Sequence, residues 1–171
     1  KKGFTLVELL ATIVVLAMIM AIVLISTTGS LGRTKEKTEN VFVKTLKDAL
    51  DIYVDSDARS LNFASEVCTI NKKIPGTENY RNVKVYKTNK DKNGNTLTFA
   101  NVINSSYHPI DVSDMHNPAN KGKNNYECNT NGTLNIYRDE DYVYYYKIAK
   151  DTFECLNGTG VITNLPSGCD E

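Results

Sequence analysis

The chain has 171 residues, with 20 basic residues against 20 acidic ones and a formal net charge of zero. That balance removes any electrostatic case for nucleic acid or an acidic substrate as a partner. Beyond residue 33 the sequence is polar and mixed in charge, with room for one globular domain.

Residues 4–25 form the first predicted element. Only Thr5, Glu8 and Thr12 are polar there, and residues 9–25 hold no charge, no Pro and no Gly. As a helix this run rises about 33 Å, enough to cross a hydrocarbon core of roughly 30 Å. It exceeds the apolar core of about 7–15 residues in a cleavable secretory signal. The small residues 26–30 imitate a signal-peptidase site, but Glu8 inside the apolar run argues against that use. A charge near the bilayer centre costs roughly 2–4 kcal/mol, and less near its edge, so Glu8 needs a partner. Lys1 and Lys2 flank the run and predict a cytoplasmic N-terminus with the domain outside. Arg33, Lys35 and Lys37 oppose this weakly, diluted by Glu36 and Glu39. The first residue is not Met, which predicts a native start further upstream in a longer leader.

After Gly29 and Gly32 the pattern becomes amphipathic. Phe42, Leu46, Ala49, Leu50, Tyr53 and Val54 recur at helical spacing, with Lys44, Lys47, Asp48, Asp51 and Asp55 elsewhere on the wheel. The spacing predicts one long helix whose second half buries a stripe against a sheet. Each Gly costs about 1 kcal/mol against Ala, so a bend or local melting is expected between the halves.

Residues 56–80 read as loop with at most a short helical turn. A first hairpin is predicted from residues 83–87 and 96–103 around Asn93-Gly94, a strong tight-turn signal. Residues 104–132 form a polar stretch with Pro109 and Pro118, long for a loop in a compact domain. A second hairpin joins residues 133–137 to 142–149 through a turn at 138–141. On its last strand Tyr142, Tyr144, Tyr146 and Ile148 share one face, read as core beneath the long helix.

Cys68, Cys128, Cys155 and Cys169 all lie in the predicted external domain. An even count there favours two disulfides, and sequence alone allows three pairings. None of the spacings is a C-x-x-C pair suited to zinc. Spacing favours Cys155 with Cys169, closing a loop of about 15 residues that would stabilise the fold by about 3 kcal/mol. Cys68 with Cys128 follows by elimination.

Other candidates are weaker. Asp139-Glu140-Asp141 offers carboxylates for Ca²⁺ but lacks the spaced oxygen ligands of an EF-hand, and reads as a solvated turn. His108 and His116, with Asp111 and Asp114 between them, read as irregular loop rather than metal ligands. No Ser/His/Asp or Cys/His order suggests a nucleophile, and there is no Gly-rich phosphate loop. The chain reads as no enzyme, with no cofactor and no metal. Asn104, Asn131 and Asn157 open three N-glycosylation patterns, which an Asn-rich chain produces by chance.

The sequence Lys1-Lys2-Gly3-Phe4-Thr5-Leu6-Val7-Glu8-Leu9-Leu10 resembles the processing site of type IV pilins and pseudopilins. The match is close over residues 1–25; beyond that only the layout is similar. The resemblance implies a prepilin peptidase that cuts between Gly3 and Phe4 on the cytoplasmic face and methylates Phe4. It also implies an assembly role for Glu8, whose carboxylate would meet the Phe4 amine of a neighbouring subunit. Many family members carry a Pro late in the apolar helix, where this chain has Ile25.

The expected fold is α+β and pilin-like: a protruding apolar half-helix, an amphipathic half packed on an antiparallel sheet, and a C-terminal disulfide loop. Residues 1–3 would be a leader remnant, 4–32 the transmembrane or filament-core helix, and 33–171 the head. The expected function is a structural pilus subunit for adhesion, twitching motility or biofilm formation. Its implied partners are identical subunits, the prepilin peptidase, the assembly machinery and, before assembly, the cytoplasmic membrane. Residues 104–132 and 155–169 would face outward. The rival readings are a pseudopilin of a type II secretion or competence system, and a monomeric membrane-anchored binding protein.

Overall fold

Sequence without a proline before residue 75 gives a single helix, α1, over Leu6–Ser56 in the computed structural model. The structure describes residues 6–105 and 115–169, and residues 21–31 by their backbone alone. The expected melting at Gly29 and Gly32 does not occur: the backbone stays helical through both. Propagating an existing helix adds one hydrogen bond per residue fixed, which offsets the modest propensity cost of two glycines. The helix ends as the Ser56 hydroxyl donates to the Ile52 carbonyl, 2.6 Å away, and a 3₁₀ turn follows at Ala58–Ser60.

Five strands form one antiparallel meander: β1 (Ser65–Lys73), β2 (Tyr80–Thr88), β3 (Asn135–Asp139), β4 (Tyr144–Ala149) and β5 (Val161–Thr163), in that spatial order. The second predicted hairpin is β3–β4, with Ile136 opposite Tyr146. The first is not as expected. Strand β2 pairs with β1, which lies inside the stretch read as loop. The turn between them carries Pro75 and Gly76, the latter at φ 77°, a left-handed backbone suited to Gly.

The Asn93-Gly94 turn is present. Asp91 caps it by accepting from the backbone N–H groups of Asn93 and Asn95, at 2.8 and 2.7 Å. Beyond it only a Lys90–Thr96 bridge forms, and Phe99–Ile103 is a short helix, α2, in place of the predicted strand. Asn101 decides this locally, because its side-chain oxygen accepts the Thr98 N–H at 2.6 Å in a capping box. Phe99, Val102 and Ile103 then bury one face at i, i+3, i+4 spacing.

The core lies between the second half of α1 and one face of the sheet. Leu46, Ala49, Leu50, Tyr53 and Val54 are buried there, with Phe42 partly buried beside them, as the helical spacing predicted. Opposite them stand Ile136, Tyr146 and Ile148, joined by Phe99 and Phe153, whose rings meet edge to face at 4.8 Å. Of the predicted aromatic face, Tyr146 and Ile148 are core and Tyr144 is at its margin, whereas Tyr142 is 69 % exposed. A smaller cluster on the other face gathers Val85, Tyr137 and Cys169, with Leu165 against it.

Both expected disulfide pairings are overturned. Cys68 is joined to Cys169, and Cys128 to Cys155. The reason is topological. Strand β5 lies between Cys155 and Cys169 and runs along the β4 edge. The chain after it crosses the outer face, with Leu165 in the small cluster, and delivers Cys169 to β1. Cys155 stays in the main core, 4.8 Å from Cys128 between Cα atoms.

Candidate functional site

Over residues 6–20 the side chains of α1 are apolar except at Glu8 and Thr12, and all of them are exposed. Leu6, Leu10 and Met20 are 79, 60 and 66 % exposed, and Val7, Leu9, Ile13 and Met18 are comparably bare. Burial by the head begins only near Glu39. Contiguous exposed apolar surface of this extent marks an interaction surface. Glu8 stands in the first turn of α1, where free backbone N–H groups and the helix dipole favour a carboxylate. One turn on, the Thr12 hydroxyl donates to the Leu9 carbonyl at 2.8 Å, so that side chain satisfies itself within the helix. Gly3 and Phe4, the expected cleavage and methylation positions, lie outside the described residues, as do Lys1 and Lys2.

A family model, the prokaryotic N-terminal methylation motif, matches residues 1–24. This is the type IV prepilin-like processing motif. No curated protein and no solved structure matches the chain. The prepilin-like motif implies processing by a prepilin peptidase, and it points to a type IV pilin-like or pseudopilin protein of structural kind. The α+β architecture, with its N-terminal helix, antiparallel sheet and disulfides, is compatible with that family. Among the described residues no helix is long and apolar enough to cross a membrane. The end of the expected span, residues 21–25, falls where only the backbone is described.

In the head, the sequence singled out Asp139-Glu140-Asp141 as a solvated turn. Glu140 and Asp141 are exposed turn residues, but the structure corrects the reading at Asp139, which is fully buried and is the centre of a network. Its Oδ1 accepts from the N–H groups of Asp141 and Val143, both at 2.9 Å, and its Oδ2 from Lys72 Nζ at 2.7 Å and the Tyr145 hydroxyl at 2.8 Å. Asp141 pairs with Lys72 at 3.1 Å and with Arg81, and Glu140 accepts the Lys84 N–H. The carboxylates are thus occupied by protein donors. Hydrogen bonding to Lys72, helped by Arg81, holds the Asp141 carboxyl below its usual range. Burial pulls Lys72 down, but its bonds to Asp139 and Asp141 outweigh this and raise it.

Three further anchors escaped the sequence reading. The Tyr146 hydroxyl donates to Asp51 Oδ1 at 2.8 Å and ties β4 to α1. Glu39 accepts from the backbone N–H and the side-chain amide of Asn157, at 3.1 and 2.6 Å, and ties α1 to the segment after Cys155. The buried amides of Asn117 and Asn120 both donate to the Cys155 carbonyl. Asn157, one of the glycosylation patterns, is therefore engaged with Glu39. His116 stacks near Tyr126, with ring centroids 4.4 Å apart. His108, Asp111 and Asp114 lie outside the described residues.

Proposed function

We propose that the chain is a structural subunit of a type IV pilus, polymerised into surface filaments that serve adhesion, twitching motility or biofilm formation. The observation that carries this reading is the processing motif at the head of a helix whose residues 6–20 are almost wholly apolar and exposed. In this reading the peptidase cuts between Gly3 and Phe4 and methylates Phe4, and the new amine keeps its positive charge at neutral pH. Glu8 of one subunit meets that amine on another. Pairing neutralises both charges before burial and sets the register of each incoming subunit, while the loss of one buried partner costs about 3–5 kcal/mol. The apolar half sits in the cytoplasmic membrane, N-terminus inside, until it packs against sister helices. The contact is heterologous and does not close, so it grows as a helix. Residues 33–171 form the head, and the surface near residues 155–169 faces outward.

Mass spectrometry of filaments sheared from cells tests the proposal. The expected result is an abundant subunit that begins at Phe4 with one added methyl group. A chain that remains in the membrane fraction under piliating conditions, cut but never in filaments, would instead support a secretion or competence pseudopilin.

A further inference from the structure

A cleft of about 410 Å³ lies between the head and residues 32–40 of α1. Lys35, Lys123 and Lys150 converge on it from α1, from the loop after Pro118–Asn120, and from the turn after β4. Among the described residues none of these three ammonium groups has an ion-pair partner. The cleft also holds Glu36 and Glu39, but Glu39 is already bound by Asn157. Three lysine ammonium groups therefore face two carboxylates, since the neutral Asn157 donors leave Glu39 its charge, and the cleft keeps a net positive charge.

The position of the cleft selects its ligand. Its lining reaches back along α1 to Gly32, seven residues beyond Ile25, or about 10 Å along the helix. The headgroup layer on each side of a bilayer is roughly 5–8 Å deep. With the apolar run in the membrane and the head on its outer side, the cleft stands at the outer edge of that layer, within a Debye length of an anionic headgroup in the outer leaflet. We propose that this cleft binds the phosphate of an anionic lipid headgroup while the subunit waits in the membrane. It would hold the head down against the surface and be vacated on extraction into a filament. The inference rests on the membrane reading of residues 4–25. It also gives a role to Lys35, one of the basic residues that oppose the expected topology.

The test is lysine footprinting of the full chain reconstituted into phosphatidylglycerol vesicles and into phosphatidylcholine vesicles, with flotation scored separately. The expected result is flotation with both lipids. Amine modification at Lys35, Lys123 and Lys150 should be at least about threefold slower with phosphatidylglycerol, while Lys44 and Lys47 on the exposed helix face should be unchanged. The Lys35→Gln/Lys123→Gln variant should float equally well and lose the protection at Lys150. Equal modification in the two lipids, with flotation intact, would overturn the lipid site alone. Failure to float with either lipid would overturn the membrane placement and the site with it. Protection seen only in assembled filaments would assign the cleft to a neighbouring subunit and refute the lipid proposal.

Discussion

Lys72 Nζ lies 2.7 Å from Asp139 Oδ2, a contact that joins β1 to β3 across the intervening β2. The two side chains differ in setting, since Lys72 is about one third exposed and Asp139 is fully buried. Removal of the two partners should therefore have unequal effects. Asp139→Ala strands the Tyr145 hydroxyl and two turn N–H groups and should cost about 3 kcal/mol or more. Lys72→Met leaves Asp139 with three donors and should cost about half as much. Urea unfolding midpoints of the two variants measure this, and an equal loss would refute the central place given to Asp139. The acid limb follows from Asp141. Its lowered pKa contributes stability above an unfolded value near 3.8 that is lost as pH falls below it.

The disulfides should be separable by their loops. Cys68–Cys169 spans 101 residues and Cys128–Cys155 spans 27. On the chain-entropy model their removal costs about 4.7 and about 3.5 kcal/mol respectively. Paired Cys→Ser variants should show that order in thermal melts. Non-reducing peptide mapping should recover Cys68 bound to Cys169, and a Cys155–Cys169 peptide would contradict the fold.

Alkaline pH should weaken the head through its tyrosines. Burial, then the bond to Asp51, raises Tyr146 above its ordinary value; burial, then Asp139, does the same for Tyr145. Burial, then Asp57 and Asp91, pushes Tyr53 to about 12. Unfolded tyrosines ionise near pH 10, so above that the unfolded state binds fewer protons than the folded one. Stability is then full below about pH 10 and falls above it, by about 1.4 kcal/mol per pH unit for each such group. Tyr146→Phe should flatten this slope by about one group's share, as read from urea unfolding between pH 9 and 11.5. Lys72 adds its own loss above pH 10.5, which the comparison cancels.

For the N-terminal motif, Glu8→Ala is expected to leave membrane insertion intact and to impair incorporation into filaments. Flotation and immunoblotting of sheared filaments read the two separately. Normal incorporation of the variant would remove the proposed pairing with the Phe4 amine.

At Gly132 an added Cβ would overlap Thr152 Cγ2. Gly132→Ala should destabilise the head by about 1–3 kcal/mol. Thr152→Ser, which deletes that methyl, should recover most of the loss; the absence of recovery in a double-mutant cycle would show that the strain lies elsewhere.

By itself the sequence determined what depends on neighbours along the chain. The buried stripe of α1 from Leu46 to Val54, the β3–β4 hairpin and the Asn93-Gly94 turn are short-range patterns, and they were legible for that reason. So was the processing motif, which a peptidase must read locally. Tertiary structure decided what depends on distant partners. Strand β1 was missed because its pairing with β2 and its bridge to Cys169 lie outside any local window. The stretch read as a strand at 96–103 became α2 because one Asn101 side chain capped it. Asp139 looked like a surface acid until the chain brought Lys72 and Tyr145 to it. The cysteine pairing followed the path of β5 and the crossing of the outer face, since a disulfide forms where Cα atoms come within about 5–6 Å, whatever their separation in sequence.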